Sequence, residues 1–303
     1  MFISRLHRAA WLAGVLCATI CTTTAGAQVH DDFVVTPAWL AAHLKDPSVV
    51  VLAVVYREMG DDKAYADAHI PGARAIDGAQ FGTKRDVLDL ELPPAEELRA
   101  RFEALGISDS TRVVVYASNP PAATRLLFTL DYLGHTKFSL LDGGIKRWVA
   151  EGRPVTRDIP SVNRGHLTSR PQPGVVATAD WIQAHPGNRG LSLIDTRSDG
   201  EYLGTGERHG MPSEGHLAGA HQLEWQALFT DADGNLKDKA ELQKLYADRV
   251  RGGDTVVTYC WIGYRGSATY FVARYLGYPT KLYDGSYQDW LARKLPVRAG
   301  SAP

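Results

Sequence analysis

The sequence predicts an α/β fold made twice over, each copy a mostly parallel sheet flanked by helices. Two observations carry this. The chain repeats itself at a spacing of about 142 residues, too long for a solenoid and right for two duplicated domains. Within each copy, short β-branched runs alternate with helical patterns, which argues for parallel strands covered on both faces.

The repeat is read from matching stretches in one order. Thr36-Pro-Ala-Trp-Leu-Ala-Ala-His43 answers to Thr178-Ala-Asp-Trp-Ile-Gln-Ala-His185, and His69-Ile-Pro-Gly-Ala73 to His216-Leu-Ala-Gly-Ala220. Val113–Tyr116 matches Val256–Tyr259, Tyr132-Leu-Gly134 matches Tyr275-Leu-Gly277, and Asp142-Gly143…Trp148 matches Asp284-Gly285…Trp290. The expected domains are 28–151 and 177–298, with 152–176 as a linker rich in proline and lacking apolar periodicity.

Taken in order, Thr36 and Thr178 are expected N-caps, with Pro37 at the first helical position. Val49–Val55 and Leu191–Ile194 read as buried strands. Ala95 to Leu105 has helical spacing and stops at Gly106. Val113–Tyr116 and Thr255–Tyr259 are strands, each followed by a helix that ends in Tyr-Leu-Gly. Lys137 to Leu141 and Lys281 to Tyr283 are short strands leading into Asp-Gly turns.

Residues 1–27 read as a secretory signal. Arg5, His7 and Arg8 form a basic start, Ala9 to Ile20 is apolar, and Ala25-Gly26-Ala27 is a small-residue cleavage site with the cut before Gln28. The apolar stretch is shorter than the ~20 residues a spanning helix needs. The mature protein is therefore expected outside the cytoplasm, in a periplasm or secreted, and free of the membrane. Formal net charge is −1, with no basic excess to suggest nucleic acid as a partner.

Cys17 and Cys21 leave with the signal, so Cys260 alone remains and no internal disulfide can form. A lone cysteine is either a small core residue or a nucleophile. Here it closes a strand and opens the loop Cys260-Trp261-Ile262-Gly263-Tyr264-Arg265 before a helix. In parallel sheets, sites gather at the carboxyl ends of strands. The amides of Trp261, Ile262, Gly263, Tyr264 and Arg265 can curl round the sulfur, and the helix N-terminus favours negative charge at the same point. Gly263 allows the loop to close, and Arg265 adds a positive charge. The matching stretch of the first copy is Tyr116-Ala117-Ser118-Asn119-Pro120-Pro121, without the thiol or the glycine. One copy therefore reads as active and the other as inactive.

These motifs resemble the tandem-domain rhodaneses, the thiosulfate and 3-mercaptopyruvate sulfurtransferases, over essentially the whole mature chain. The marks are Leu193-Ile-Asp195-Thr-Arg197, Glu201-Tyr-Leu-Gly204, Gly215-His-Leu-Ala-Gly-Ala220, the Cys260–Arg265 loop and Asp284-Gly-Ser…Trp290. The resemblance implies two rhodanese-like domains, the C-terminal one catalytic, and a double displacement. Cys260 takes the outer sulfur of a donor as a persulfide and passes it to a thiophilic acceptor such as cyanide. It implies no metal or organic cofactor. Arg265 follows bacterial thiosulfate-type members and is expected to hold a sulfonate in a forked geometry. Mercaptopyruvate-type and vertebrate thiosulfate-type enzymes commonly carry arginine where this chain has Glu201, and the vertebrate thiosulfate type a basic residue where it has Ile262. Two customary donor-binding charges are therefore missing, and the Arg265 pattern is what favours thiosulfate over 3-mercaptopyruvate.

Trp261 and Tyr264 either wall the entrance or shield the loop. Asp195 and Arg197 end a strand of the second copy, read as matching Val55 and Arg57 of the first, and Arg197 with Glu201 is expected to form an ion pair supporting the site. His43, His185, His69 and His216 recur in both copies and read as structural, and His209 as a solvated loop residue. No histidine has metal-ligand spacing. A monomer is expected, because the duplication supplies an interface within one chain. Three other functions fit less well or share the chemistry. A phosphatase of the related cysteine-loop type needs five residues between cysteine and arginine, and here there are four. A non-catalytic binding module leaves the intact loop unexplained. A persulfide carrier serving a partner protein shares the chemistry and differs in its acceptor.

Overall fold

The structure, a computed structural model, describes residues 30–208, 211–230 and 234–303. The expected signal, residues 1–27, and His209 lie outside them. The first copy runs β1 (Val34–Val35), α1 (Pro37–His43), β2 (Val49–Val55), α2 (Asp61–Asp67), β3 (Arg74–Asp77), a hairpin of β4 (Thr83–Arg85) and β5 (Leu88–Glu91), α3 (Ala95–Ala104), β6 (Arg112–Ala117), α4 (Pro120–Tyr132), β7 (Phe138–Leu141) and α5 (Gly144–Ala150). The second runs β8 (Val176–Ala177), α6 (Ala179–Gln183), β9 (Leu191–Asp195), α7 (Asp199–Leu203), a ribbon of β10 (Glu207–Arg208) and β11 (Met211–Pro212), β12 (His216–Leu217), β13 (Ala220–Gln222), α8 (Lys239–Ala247), β14 (Thr255–Tyr259), α9 (Gly266–Tyr275), β15 (Thr280–Tyr283), α10 (Ser286–Ala292) and β16 (Val297–Arg298).

Each copy forms a five-stranded sheet whose pairings are all parallel. The orders β1-β7-β6-β2-β3 and β8-β15-β14-β9-β13 place equivalent strands in equivalent positions, so the repeat in the sequence is a repeat in space. The first helix of each copy is capped as its sequence predicts. Thr36 Oγ1 accepts from the Trp39 amide and Thr178 Oγ1 from the Trp181 amide, both at 3.1 Å.

Strand register corrects one expected correspondence. Asp195 pairs with Tyr259 across β9 and β14, and Ala53 pairs with Tyr116 across β2 and β6. Tyr259 and Tyr116 are equivalent, so Asp195 answers to Ala53 and Arg197 to Val55, two residues earlier than the sequence comparison placed them. Both charges therefore belong to the second copy alone.

The paired histidines are structural. His69 and His216 are fully buried, each stacked on the tyrosine of the preceding helix, Tyr65 at 4.0 Å and Tyr202 at 3.8 Å. His43 and His185 each donate from Nδ1 to the carbonyl four residues back, that of Trp39 and of Trp181, at 2.7 Å. After Gly152 the chain crosses the first copy. Thr156 bridges to His69, and Glu103 accepts from the Leu167 amide at 3.2 Å and from Arg164 at 2.6 Å. β8 begins at Val176, the last residue of the expected linker, because Val176 already pairs with Leu282.

The two copies pack through the helices that follow their central strands. One hydrophobic cluster joins Ala123, Leu126 and Leu130 of α4 to Ala268, Phe271 and Val272 of α9. Polar groups are matched inside this contact, as burial demands. Thr124 Oγ1 meets Ser267 Oγ at 2.9 Å, and Asp131 accepts from Tyr270 at 2.6 Å and from Arg274 at 2.9 Å.

Candidate active site

Cys260 stands at the carboxyl end of β14, the middle strand of the second sheet, and is 1% exposed. The loop that follows turns back on itself at Gly263, whose φ is +79°. A Cβ there would lie 2.6 Å from the Asp284 carbonyl oxygen, so the turn needs glycine for both conformation and space. The loop is held from below by the start of α10. The Cys260 amide donates to Ser286 Oγ at 3.2 Å, and the Cys260 and Trp261 carbonyls accept from the amides of Tyr287 and Gln288 at 3.0 Å. Thr258 Oγ1 donates to the Gly266 carbonyl at 3.0 Å, tying the first residue of α9 to β14.

The amides of Trp261 through Arg265 donate to no oxygen among the described residues. They are five consecutive donors on the loop that leads from the sulfur to the N-terminus of α9. That supply of positive partial charge suits an anionic sulfur and the anionic group of a donor.

Arg265 and Glu201 face each other end-on. Nη1 donates to Oε2 at 2.8 Å and Nη2 to Oε1 at 2.7 Å. Glu201 is the N3 residue of a capping box on α7, and Oε2 also accepts from the Ser198 amide and hydroxyl. Burial works to raise the Glu201 carboxyl, but Arg265 and Ser198 outweigh it and hold it at about 2. Burial likewise opposes the charge on Arg265, while Glu201 and the nearby Cys260 keep it protonated. Two expectations are corrected here. The fork of Arg265 is not open to a sulfonate, because its end-on edge is filled by Glu201. Glu201 does not pair with Arg197, because Arg265 reaches it from the cysteine loop.

Arg197 is fully buried and pairs instead with Asp195, Nη2 to Oδ2 at 2.6 Å. It also donates to the Gly215 carbonyl at 2.7 Å, and its guanidinium lies 3.9 Å from the centre of the Tyr287 ring. With its donors engaged, this pair locks the end of β9 against the floor of the loop. The support role expected of Asp195 and Arg197 thus has a geometry, with different partners.

Trp261 is 3% exposed, and its ring packs on Tyr287 with centroids 5.3 Å apart. This corrects the wall-of-the-entrance alternative: its side chain is core, and only its backbone belongs to the loop. Ile262 is half-buried and packs against the same cluster. Tyr264 points to the first copy, edge-on to Tyr56 at 6.1 Å between centroids. Burial pushes both phenols up, so they stay neutral.

Sequence reasoning passed over several residues that shape this site. Ser198 carried a legible signal, since Ser198-Asp-Gly-Glu201 is a capping-box spacing. Ser286 sits at φ +53° under the cysteine, and nothing in its sequence neighbourhood marks that. Arg125, from α4 of the first copy, pairs with Asp284, and the repeat gives no hint of it.

A thiol at the end of the central strand, followed by a loop of amides without oxygen partners among the described residues and built on a duplicated α/β frame, is the arrangement of a sulfur-handling protein class. The family model described as Rhodanese-like domain matches residues 36–151 and 178–293, and the chain belongs to that family. It is 35% identical over 281 residues to "Sulfur carrier protein TtuD" of Thermus thermophilus, covering 86% of this chain and 94% of that one. It is 33% identical to "Thiosulfate sulfurtransferase" of Corynebacterium glutamicum, covering 89% of this chain and 92% of that one. A "Probable 3-mercaptopyruvate sulfurtransferase" of Pseudomonas aeruginosa is 30% identical, with 88% and 97% covered. Among solved structures, YnjE superposes with a TM-score of 0.79 at 26% identity, over 89% of this chain and 68% of that one.

Proposed function

We propose that the protein is a thiosulfate sulfurtransferase acting through a persulfide on Cys260. The observation that supports this most is the row of free amides from Trp261 to Arg265 beside the thiol. In the first step the Cys260 thiolate attacks the outer sulfur of thiosulfate. The new S–S bond forms as the old one breaks, and its electron pair leaves with sulfite. In the second step a thiophile such as cyanide attacks the terminal sulfur, and the Cys260 thiolate returns. The amides would carry the negative charge of the persulfide and meet the donor's sulfonate, together with those Arg265 N–H groups not turned to Glu201. On this reading Asp195, Arg197 and Glu201 hold the frame, and no metal or organic cofactor takes part. The first copy, with Ala117 in the place of Cys260, is inactive.

A second reading is favoured by the Glu201–Arg265 pair. It lowers the net positive charge at the loop, which suits a less charged donor or a persulfide carrier serving a partner protein. We further infer export, to a periplasm first and the medium second, from the first 27 residues, and a monomeric mature protein.

The test is thiocyanate formation by the mature protein from Gln28, with thiosulfate or 3-mercaptopyruvate, beside Cys260→Ser. Turnover preferring thiosulfate and absent from the variant supports the proposal. Preference for 3-mercaptopyruvate overturns the donor, and a persulfide formed without cyanide turnover replaces the enzyme with the carrier.

A further inference from the structure

The floor beneath the cysteine loop does not stand on the second copy alone. It is the segment Asp284–Gln288, which supplies Ser286 Oγ to the Cys260 amide and the amides of Tyr287 and Gln288 to the carbonyls of Cys260 and Trp261. Its first residue, Asp284, also lies against Gly263 at the bend of the loop. Both carboxylate oxygens of Asp284 are taken by the first copy. Arg125 Nη1 of α4 donates to Oδ1, and the Leu92 amide donates to Oδ2 at 2.9 Å. Arg125 is 2% exposed and is steadied by a hydrogen bond from Nη2 to the Leu90 carbonyl at 3.2 Å. Nη1 of Arg125 also lies 3.2 Å from where a Cβ on Gly263 would be, so it touches the loop as well as its floor.

This arrangement is not a feature of the repeat. Asp142 opens the equivalent turn of the first copy, and its backbone partner is equivalent, the Leu236 amide at 2.8 Å. Its cation is Arg147, five residues along in the same copy. Counting back from the shared Tyr-Leu-Gly of α4 and α9, the residue equivalent to Arg125 is Ala268. Of the two Asp-Gly turns, the one beneath the cysteine takes its arginine from the other copy, whereas the Asp142 turn pairs with an arginine of its own copy. A simple domain-stapling role would give no reason for that asymmetry.

We propose that Arg125 is a positioning residue for Cys260. The first copy fixes Asp284, Asp284 fixes the bend at Gly263 and the start of α10, and these set the backbone of the loop that follows the sulfur. The effect on catalysis rests on the sulfurtransferase reading, while the effect on loop order does not. The first copy thereby contributes to the chemistry without a nucleophile of its own.

The experiment compares full-length mature protein with Arg125→Met, Arg125→Lys and, as the matched loss in the other copy, Arg147→Met. Amide hydrogen exchange is followed at Cys260, Tyr287 and Gln288, the hydrogen-bonded amides that join the loop to its floor, and loading of Cys260 by thiosulfate is followed in a single turnover by intact mass. Arg125→Met is expected to speed exchange at these amides by about tenfold. It is expected to slow loading by about tenfold to a hundredfold, with a smaller change in the thiosulfate KM. Arg125→Lys should restore part of both, and Arg147→Met should alter neither. Normal loop protection in a folded Arg125→Met protein overturns the proposal, and so does an equal effect of Arg147→Met. If Arg125→Met does not fold, Arg125→Lys decides: loop exchange and loading equal to wild type overturn the proposal, and a partial loss of both supports it. Wild-type protein that takes up no sulfur refutes the sulfurtransferase reading, and the exchange data still decide whether Arg125 orders the loop.

Discussion

Glu201 grips Arg265 by both carboxylate oxygens, from a capping box on one side of the cysteine loop to the last residue of that loop on the other. The side chains are 5% and 11% exposed, so neither charge has water to fall back on. Arg265→Met leaves Glu201 buried without its cation and should cost about 3–5 kcal/mol of stability. Glu201→Gln instead leaves Arg265 uncompensated beside the sulfur. It should lower the thiosulfate KM by roughly tenfold while destabilising the fold, which steady-state kinetics and thermal melts would read together.

The same pair sets an acid limit. The Glu201 carboxyl is held at about 2 in the fold, against an ordinary value of 4.5. Its contribution is present in full above the ordinary value and is lost as pH falls from there toward 2. The difference in melting temperature between wild type and Glu201→Gln should therefore be largest near neutrality and shrink by pH 3.

Glu91 predicts the opposite trend. Burial, with Asp284 nearby, pushes its carboxyl up from 4.5 to about 7, and Oε1 has no hydrogen-bond partner among the described residues. The fold prefers this group neutral. The stability it confers is present below the ordinary value and is lost as pH rises through 7. Glu91→Gln should stabilise the protein by about 1–2 kcal/mol at pH 8, after allowance for its partial exposure, and by much less at pH 5. Equal shifts in denaturant midpoint at both pH values would rule this out.

At Gly263 an alanine has to adopt φ +79° with its Cβ against the Asp284 carbonyl. The left-handed conformation alone costs about 1–2 kcal/mol, and the clash adds to it. Gly263→Ala should keep the circular dichroism of the fold and lose most sulfur transfer, because relief of the clash has to come from the loop or its floor.

Cys260 makes the sharpest chemical prediction. Iodoacetate should inactivate the free enzyme irreversibly by capping Sγ. After loading with thiosulfate, the reagent meets the outer sulfur of the persulfide, and a reductant should then cleave the S–S bond and restore activity. Irreversible loss to the same extent with and without thiosulfate would mean that no persulfide is held there.

Much of the frame was legible because it depends on local patterns. The Thr36 and Thr178 caps, the β2 run and the Cys260 strand end follow from propensity and periodicity. The repeat made each copy a check on the other. Charge pairing was less legible, because it depends on which side chains meet across strands. Arg197 and Glu201 are four residues apart in sequence, yet each takes a partner fixed by tertiary packing. Asp195 was matched to Val55 instead of Ala53 because loops of unequal length follow the two strands and blur a comparison that strand register settles. Arg125 left no trace, since its equivalent is alanine and its partner lies 159 residues away.

The exchange of amides between the two Asp-Gly turns also orders events in time. Asp142 is synthesised long before Leu236, whose amide it accepts. At ribosomal rates of about 5–20 residues per second, some 5–20 s separate the two. During that interval the nascent first half holds the apolar face of α4, including Leu126 and Leu130, with no α9 to cover it. It is then a half-finished interface of the kind chaperones hold, and the chain reaches its native state only when its own second half arrives to close it.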